Sequence, residues 1–136
     1  MTVVCRRHGG TCISFAVVDG SPSNRTIYAR IIVSLGVSSC VRTFPDPIAA
    51  LRWLKDNPAD VVVMDYHMTG LDGAEFISLL RSKDGHEDTL AVVVTVDRSR
   101  RAAERLRKAG ATLILHSPMD IYCLRAELRD LVRAHD

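Results

Sequence analysis

Short unbroken apolar runs alternate along the chain with longer stretches of helical spacing, and this alternation predicts repeated βα units around a parallel sheet. Ile13 to Val18 is nearly all apolar, the pattern of a strand covered on both faces. Ser21 and Pro22 follow as a helix start, because serine can cap free backbone N–H groups and proline lacks one to satisfy. Ile27, Ile31, Ile32 and Leu35 give that helix one apolar face, and Gly36 ends it. Val37 to Thr43 predicts a weaker second strand. Asp46 and Pro47 open a helix that carries Ile48, Leu51, Trp53 and Leu54 and closes at Pro58. The clearest strand is Val61 to Met64, which runs unbroken into Asp65. Leu71, Phe76, Ile77, Leu79 and Leu80 predict a third helix before a polar loop from Lys83 to Asp88. Leu90 to Val94 is a fourth buried strand ending at Thr95. A helix from about Ser99 to Lys108 stops at Gly110, Thr112 to Leu115 forms the fifth strand, and Asp120 to Ala134 the last helix.

The length of 136 residues suits one domain, able to bury roughly two-thirds of its unfolded surface. Hydrophobic residues at 47% and charged residues at 25% exclude a disordered or coiled-coil chain. Residues 13–136 are expected to form the domain and residues 1–12 a flexible basic leader. A net charge of +2 gives no concentrated basic stripe for nucleic acid or a membrane surface. No apolar run approaches the ~20 residues of a membrane span, and the N-terminus lacks the apolar core of a signal peptide, so a cytoplasmic location is expected. Cys5, Cys12, Cys40 and Cys123 show neither zinc nor disulfide spacing and are expected as free thiols; Cys5, His8 and Cys12 lack a fourth ligand for a metal.

Chemistry in an open parallel sheet gathers at the carboxyl ends of the strands. There the sequence delivers Asp19, Asp65, Thr95 and the run His116, Ser117, Pro118. Two aspartates at one cleft repel unless a cation or proton lies between them, which suggests a divalent ion of the magnesium kind. An aspartate beside such an ion can attack phosphorus. The plainer alternative makes Asp19 a helix cap or turn former and Thr95 an ordinary β-branched strand end.

Val17-Val18-Asp19-Gly20-Ser21-Pro22, Val63-Met64-Asp65-Tyr66-His67-Met68-Thr69-Gly70-Leu71-Asp72-Gly73, Val93-Val94-Thr95 and Ser117-Pro118 together resemble the receiver domains of bacterial response regulators. The resemblance runs from Ile13 to about Val132. It implies a doubly wound, flavodoxin-like α/β fold with a five-stranded parallel sheet of order 2-1-3-4-5 and five helices. It further implies that Asp65 accepts a phosphoryl group from a histidine kinase or phosphotransfer protein. Asp19 and Asp65 would support a magnesium ion, His67 would offer it a backbone carbonyl, and Thr95 would bond the phosphoryl oxygen and act as a switch. Phe44 to Leu51 also resembles receivers joined to cyclic-di-GMP phosphodiesterase domains.

Several positions depart from that pattern. Gly20 stands where the family has a second acid that binds the metal, and Ser117 where it has a lysine. Magnesium binding is therefore expected to be weak or absent, and the phosphorylated state harder to form. Val96 replaces a small residue, Thr69 the turn proline, and Ile114 the aromatic switch residue. The expected function is an atypical receiver that regulates a downstream protein by docking. A conventional magnesium-dependent phosphoacceptor is the alternative. The segment Asp65-x-His67-x-Thr69-Gly70 is also one residue from the nucleophile motif of haloacid-dehalogenase-type phosphatases. That motif needs a second aspartate where His67 stands, so no enzyme is expected.

Arg98, Arg100, Arg101, Arg105, Arg107 and Lys108 crowd the fourth helix. Such a run is commonly a solvated face; alternatively it meets Glu127 and Asp130 of a second copy across a twofold axis. No recognition motif or interleaved aromatics accompany it to suggest nucleic acid.

Overall fold

The computed structural model describes residues 2–6 and 12–134. Its elements are β1 (Thr2–Arg6), β2 (Ile13–Val18), α1 (Pro22–Val33), β3 (Ser39–Phe44), α2 (Pro47–Asp56), β4 (Val61–Met64), α3 (Gly73–Arg81), β5 (Leu90–Thr95), α4 (Arg100–Ala109), β6 (Leu113–His116) and α5 (Ile121–Ala134). The sheet order is β1-β3-β2-β4-β5-β6. Strands β2 to β6 are mutually parallel, in the expected 2-1-3-4-5 order of βα units.

The first strand lies where a flexible leader was expected. Thr2–Arg6 pairs antiparallel with Ser39–Phe44, so the sheet has six strands rather than five. The cause is backbone chemistry: β3 would otherwise present an open row of N–H and C=O groups, and a short β-prone segment satisfies them. Residues 7–11 of the expected leader, including His8 of the candidate metal trio, lie outside the described residues.

The parallel strands are covered on both faces. Ala16, Val18, Val62, Met64, Ala91 and Val93 pack beneath α2, α3 and α4 with Leu54, Phe76, Ile77, Leu80 and Leu106. On the other face Phe15, Val17, Val61, Val63 and Val92 meet Ile32 of α1 and Leu124, Leu128 and Val132 of α5. This two-sided burial is why the strands read as unbroken apolar runs. Helix faces are less regular than spacing implies. Ile27, Ile48 and Leu79 are exposed, whereas Tyr28, beside Ile27, is buried. Helix α1 is thus turned so that Tyr28, Ala29, Ile31 and Ile32 meet the sheet.

Caps fix the helix starts at the end of the sheet that carries the candidate residues. Ser21 accepts the N–H of Asn24 at 3.3 Å, and Asp46 that of Ile48 at 3.0 Å. Asp72 and Glu75 form a reciprocal capping box on α3, and Ser99 accepts the N–H of Ala102. At the opposite end, Arg81 donates to the carbonyls of His86, Thr89 and Gly110, tying α3 to β5 and α4. Among the described residues no helix is long and apolar enough to cross a membrane.

Candidate functional site

Strands β2, β4 and β5 lie side by side and end together, which brings Asp19, Asp65 and Thr95 to one edge of the sheet. Asp19 is buried, and both of its carboxylate oxygens are engaged. Oδ1 accepts the Ser21 N–H at 2.9 Å and Oδ2 accepts the Asn24 amide at 3.2 Å. The Arg25 guanidinium donates to its backbone carbonyl at 2.8 Å. Asp19 therefore shapes the turn into α1, and its charge adds to the rise of the Asp65 carboxyl.

Asp65 follows β4, and its N–H bonds the carbonyl of Val18 at 3.4 Å. Partial burial pushes its carboxyl above the ordinary carboxylate range, and the negative charge of Asp19 adds to the effect. The backbone N–H groups of His67 and Tyr66, with the His67 ring, pull the other way and do not cancel it. Tyr28 responds to the same field. Its buried phenol is pushed up to about 12, first by burial and then by the charges of Asp19 and Asp65. Tyr28 was not singled out from the sequence because one residue in a helix pattern does not reveal which way the helix is turned.

Thr95 is buried, and its Oγ accepts the N–H of Asp97 at 3.1 Å. The Ser117 N–H donates to the Thr95 carbonyl at 2.9 Å, so Ser117 lies beside the strand end as expected; the Ser117–Pro118 peptide is cis. Ile114 packs against the α2–α4 side of the core. Val96 is 69% exposed at the mouth of β5. Gly20 is exposed, its φ lies outside the left-handed region, and a Cβ built there meets nothing within 4 Å. Neither space nor backbone requires glycine at that position.

The loop after Asp65 is tied to the α4 side by contacts that sequence spacing did not suggest. His67 Nε2 lies 3.1 Å from Asp97 Oδ2. Tyr66 is buried, and its hydroxyl accepts from the Arg105 guanidinium at 2.5 Å. The same guanidinium pairs with Asp72, the α3 cap. Arg105 is therefore turned inward, away from the exposed Arg98, Arg100, Arg101, Arg107 and Lys108.

Burial raises the Asp72 carboxyl, but Arg105 and the N–H groups of Glu75 and Ala74 outweigh it and hold the carboxyl below its usual range. A depressed folded-state value contributes stability above the unfolded value that is lost as pH falls through the folded one. Arg105→Leu is expected to raise the Asp72 titration midpoint in carboxyl carbon NMR. It also destabilises the fold at neutral pH, and the difference from wild type shrinks in acid.

Among the described residues no three His, Cys, Asp or Glu side chains converge as a metal-ligand set. The anionic donors facing the cleft are Asp19 and Asp65. A hard cation of the magnesium type accepts one or two carboxylates and keeps several waters, so this donor set fits it, with less charge than three carboxylates would supply.

The response regulator receiver domain family matches residues 15–129. The chain is 29% identical over 121 residues to the cyclic di-GMP phosphodiesterase response regulator RpfG of Xanthomonas campestris pv. campestris, covering 89% of this chain and 32% of that protein. It is 30% identical over 129 residues to protein-glutamate methylesterase/protein-glutamine glutaminase 2 of Burkholderia thailandensis, covering 89% and 35%. The chain thus spans about a third of the length of these two curated relatives. Among solved structures, chemotaxis response regulator CheY4 of Vibrio cholerae superposes with a TM-score of 0.80 at 25% identity, covering 88% of this chain and 98% of that one. The receiver domain of a Pseudomonas aeruginosa sensor histidine kinase, solved with a magnesium ion coordinated in its active-site cleft, superposes at 0.77 with 23% identity, covering 91% and 97%.

Proposed function

The chain belongs to the response regulator receiver domain family of two-component phosphorelay signalling, and we propose that Asp65 is its phosphoacceptor, in a pocket too weakly charged to hold magnesium and the phosphoryl group firmly. The observation that carries this reading is the set of groups at the strand ends: two carboxylates, Asp19 and Asp65, with exposed Gly20 in open space and Ser117 beside the Thr95 carbonyl. Receiver domains pair with histidine kinases. Here a carboxylate oxygen of Asp65 would bond the phosphorus as the bond to a kinase or phosphotransfer histidine nitrogen breaks. Asp19, Asp65 and the His67 carbonyl would hold the ion, whose chemistry is to neutralise the phosphoryl oxygens. Thr95 supplies the hydroxyl for one of those oxygens. Gly20 contributes no carboxylate, and Ser117 offers a short hydroxyl where a cation would make a charge-assisted contact worth roughly 1.5–3 kcal/mol.

Signalling then rests on docking to a downstream protein. The exposed cations of α4, with Ile121 and Tyr122 exposed on α5, form the surface proposed for that partner or for a second copy of the chain. Glu127 and Asp130 are exposed on α5 and complement the cations in a homodimer. Reaction with a separate substrate is not part of this reading, and the proposed location is the cytoplasm.

Restoring the missing charges tests the proposal. Gly20→Asp places a carboxylate in open space, and adding Ser117→Lys supplies the ammonium. Magnesium should bind the Gly20→Asp variant about tenfold more tightly, ~1.4 kcal/mol, in a titration of backbone amide shifts. The double variant should incorporate more phosphoryl group from acetyl phosphate. Equal magnesium affinity in wild type and variant would favour a conventional switch in which Asp19 and water already suffice.

A further inference from the structure

Two thiols outside the cleft face each other across the sheet edge. Cys5 of β1 and Cys40 of β3 are register partners in the antiparallel pair, and their sulfur atoms are 2.6 Å apart. Directly opposed antiparallel residues have Cα atoms ~4.5–5.5 Å apart, inside the ~4.4–6.8 Å window that a disulfide spans. Cys5 is exposed and Cys40 half-buried, so a reagent reaches the pair from the Cys5 side.

We propose that Cys5 and Cys40 form a reversible dithiol–disulfide site that reacts with two-electron thiol oxidants, either peroxides or small-molecule disulfides. With hydrogen peroxide, the Cys5 thiolate takes one oxygen as the O–O bond breaks, giving a sulfenic acid and releasing water. The Cys40 sulfur then attacks the Cys5 sulfur. The S–S bond forms, the S–O bond breaks, and a second water leaves. In total two thiols give up two protons and two electrons, and one peroxide becomes two waters. With oxidised glutathione the same bond forms by two exchange steps that release two reduced glutathiones.

The surroundings set the order of events. Burial, then the hydrogen bond and charge of Cys5, push the Cys40 thiol up to about 11, against the opposing charge of Arg42 and with a further contribution from Cys12. The exposed Cys5 sulfur meets the oxidant first, and the half-buried Cys40 sulfur, 2.6 Å away, completes the bond. The bond would fasten β1 over the edge of β3, closing that edge to pairing with other chains. In a reducing compartment it would persist only during oxidant exposure.

The test uses the full chain treated with hydrogen peroxide or oxidised glutathione, followed by thiol titration and peptide mapping. The expected result is loss of two thiols per chain and a peptide linking Cys5 to Cys40, its mass lower by two hydrogen atoms. The link should be reversible by dithiothreitol, absent in Cys5→Ser and in Cys40→Ser, and present in Cys12→Ser. A link through Cys12, crosslinks only between chains, or four thiols surviving treatment would overturn the proposal. Because the mapping is made on the wild-type chain, the result does not depend on how the serine variants fold.

Discussion

Gly73→Val is expected to destabilise the domain by about 2–3 kcal/mol and to shift the loop that carries Asp65. Gly73 opens α3, and its N–H donates to the Tyr66 carbonyl at 2.7 Å. A Cβ at this position would lie 3.1 Å from the Tyr66 Cα and 3.3 Å from the Asp65 carbonyl oxygen. Both are backbone atoms, so no side-chain rotation relieves the contact. Its φ is not positive, so close approach rather than backbone conformation requires glycine here. Valine adds branching to that contact and forces Asp65 and Tyr66 away from α3, loosening the Tyr66–Arg105 bond. Chemical denaturation and amide shifts of residues 65–73 measure both effects. A variant with an unchanged denaturation midpoint would show that the loop yields freely.

Asp65→Asn is expected to abolish acyl-phosphate formation and, at the same time, to raise the melting temperature at neutral pH by a few degrees. Function and stability oppose each other because the Asp65 carboxyl is held above its ordinary range by burial and by Asp19. A raised folded-state value means that the protonated form is favoured in the folded protein. That contribution is fully present below the unfolded value and is lost as pH rises through the folded one. Asparagine removes the charge and the penalty together. The gain over wild type should vanish in acid, where both side chains are neutral. Thermal melts of both proteins across the acid range check the sign; a variant less stable at neutral pH would mean that the carboxylate is already neutralised by contacts in the fold.

Legibility in the sequence followed the physics of each element. The apolar run Ile13 to Val18 matches β2 residue for residue, and β4 and β5 are equally plain, because strands covered on two faces need continuous apolar runs. Thr2–Arg6 carries no such run; its stability comes from backbone pairing with β3, which no side-chain pattern reports. Val37 belongs to the turn before β3, which starts at Ser39. His86 sits in the stretch read as a polar loop, yet it is buried, because one ring nitrogen meets the Leu54 carbonyl at 2.7 Å and the other the Thr89 hydroxyl at 2.9 Å. In the site, Asp19, Asp65 and Thr95 were legible because strand ends converge. Tyr28, Asn24 and Arg105 were not, since their part depends on helix rotation and on contacts between residues far apart in sequence.

Weak retention of the cation and phosphoryl group by the cleft is tested by a titration of wild-type backbone amide shifts with magnesium and then beryllofluoride, a mimic of the phosphoryl group on Asp65. The expected result is no saturation at millimolar magnesium and no beryllofluoride-induced shifts at Thr95. Saturable shifts centred on Asp19, Asp65 and Thr95 would contradict it and make the chain a conventional phosphorylation switch despite Gly20 and Ser117.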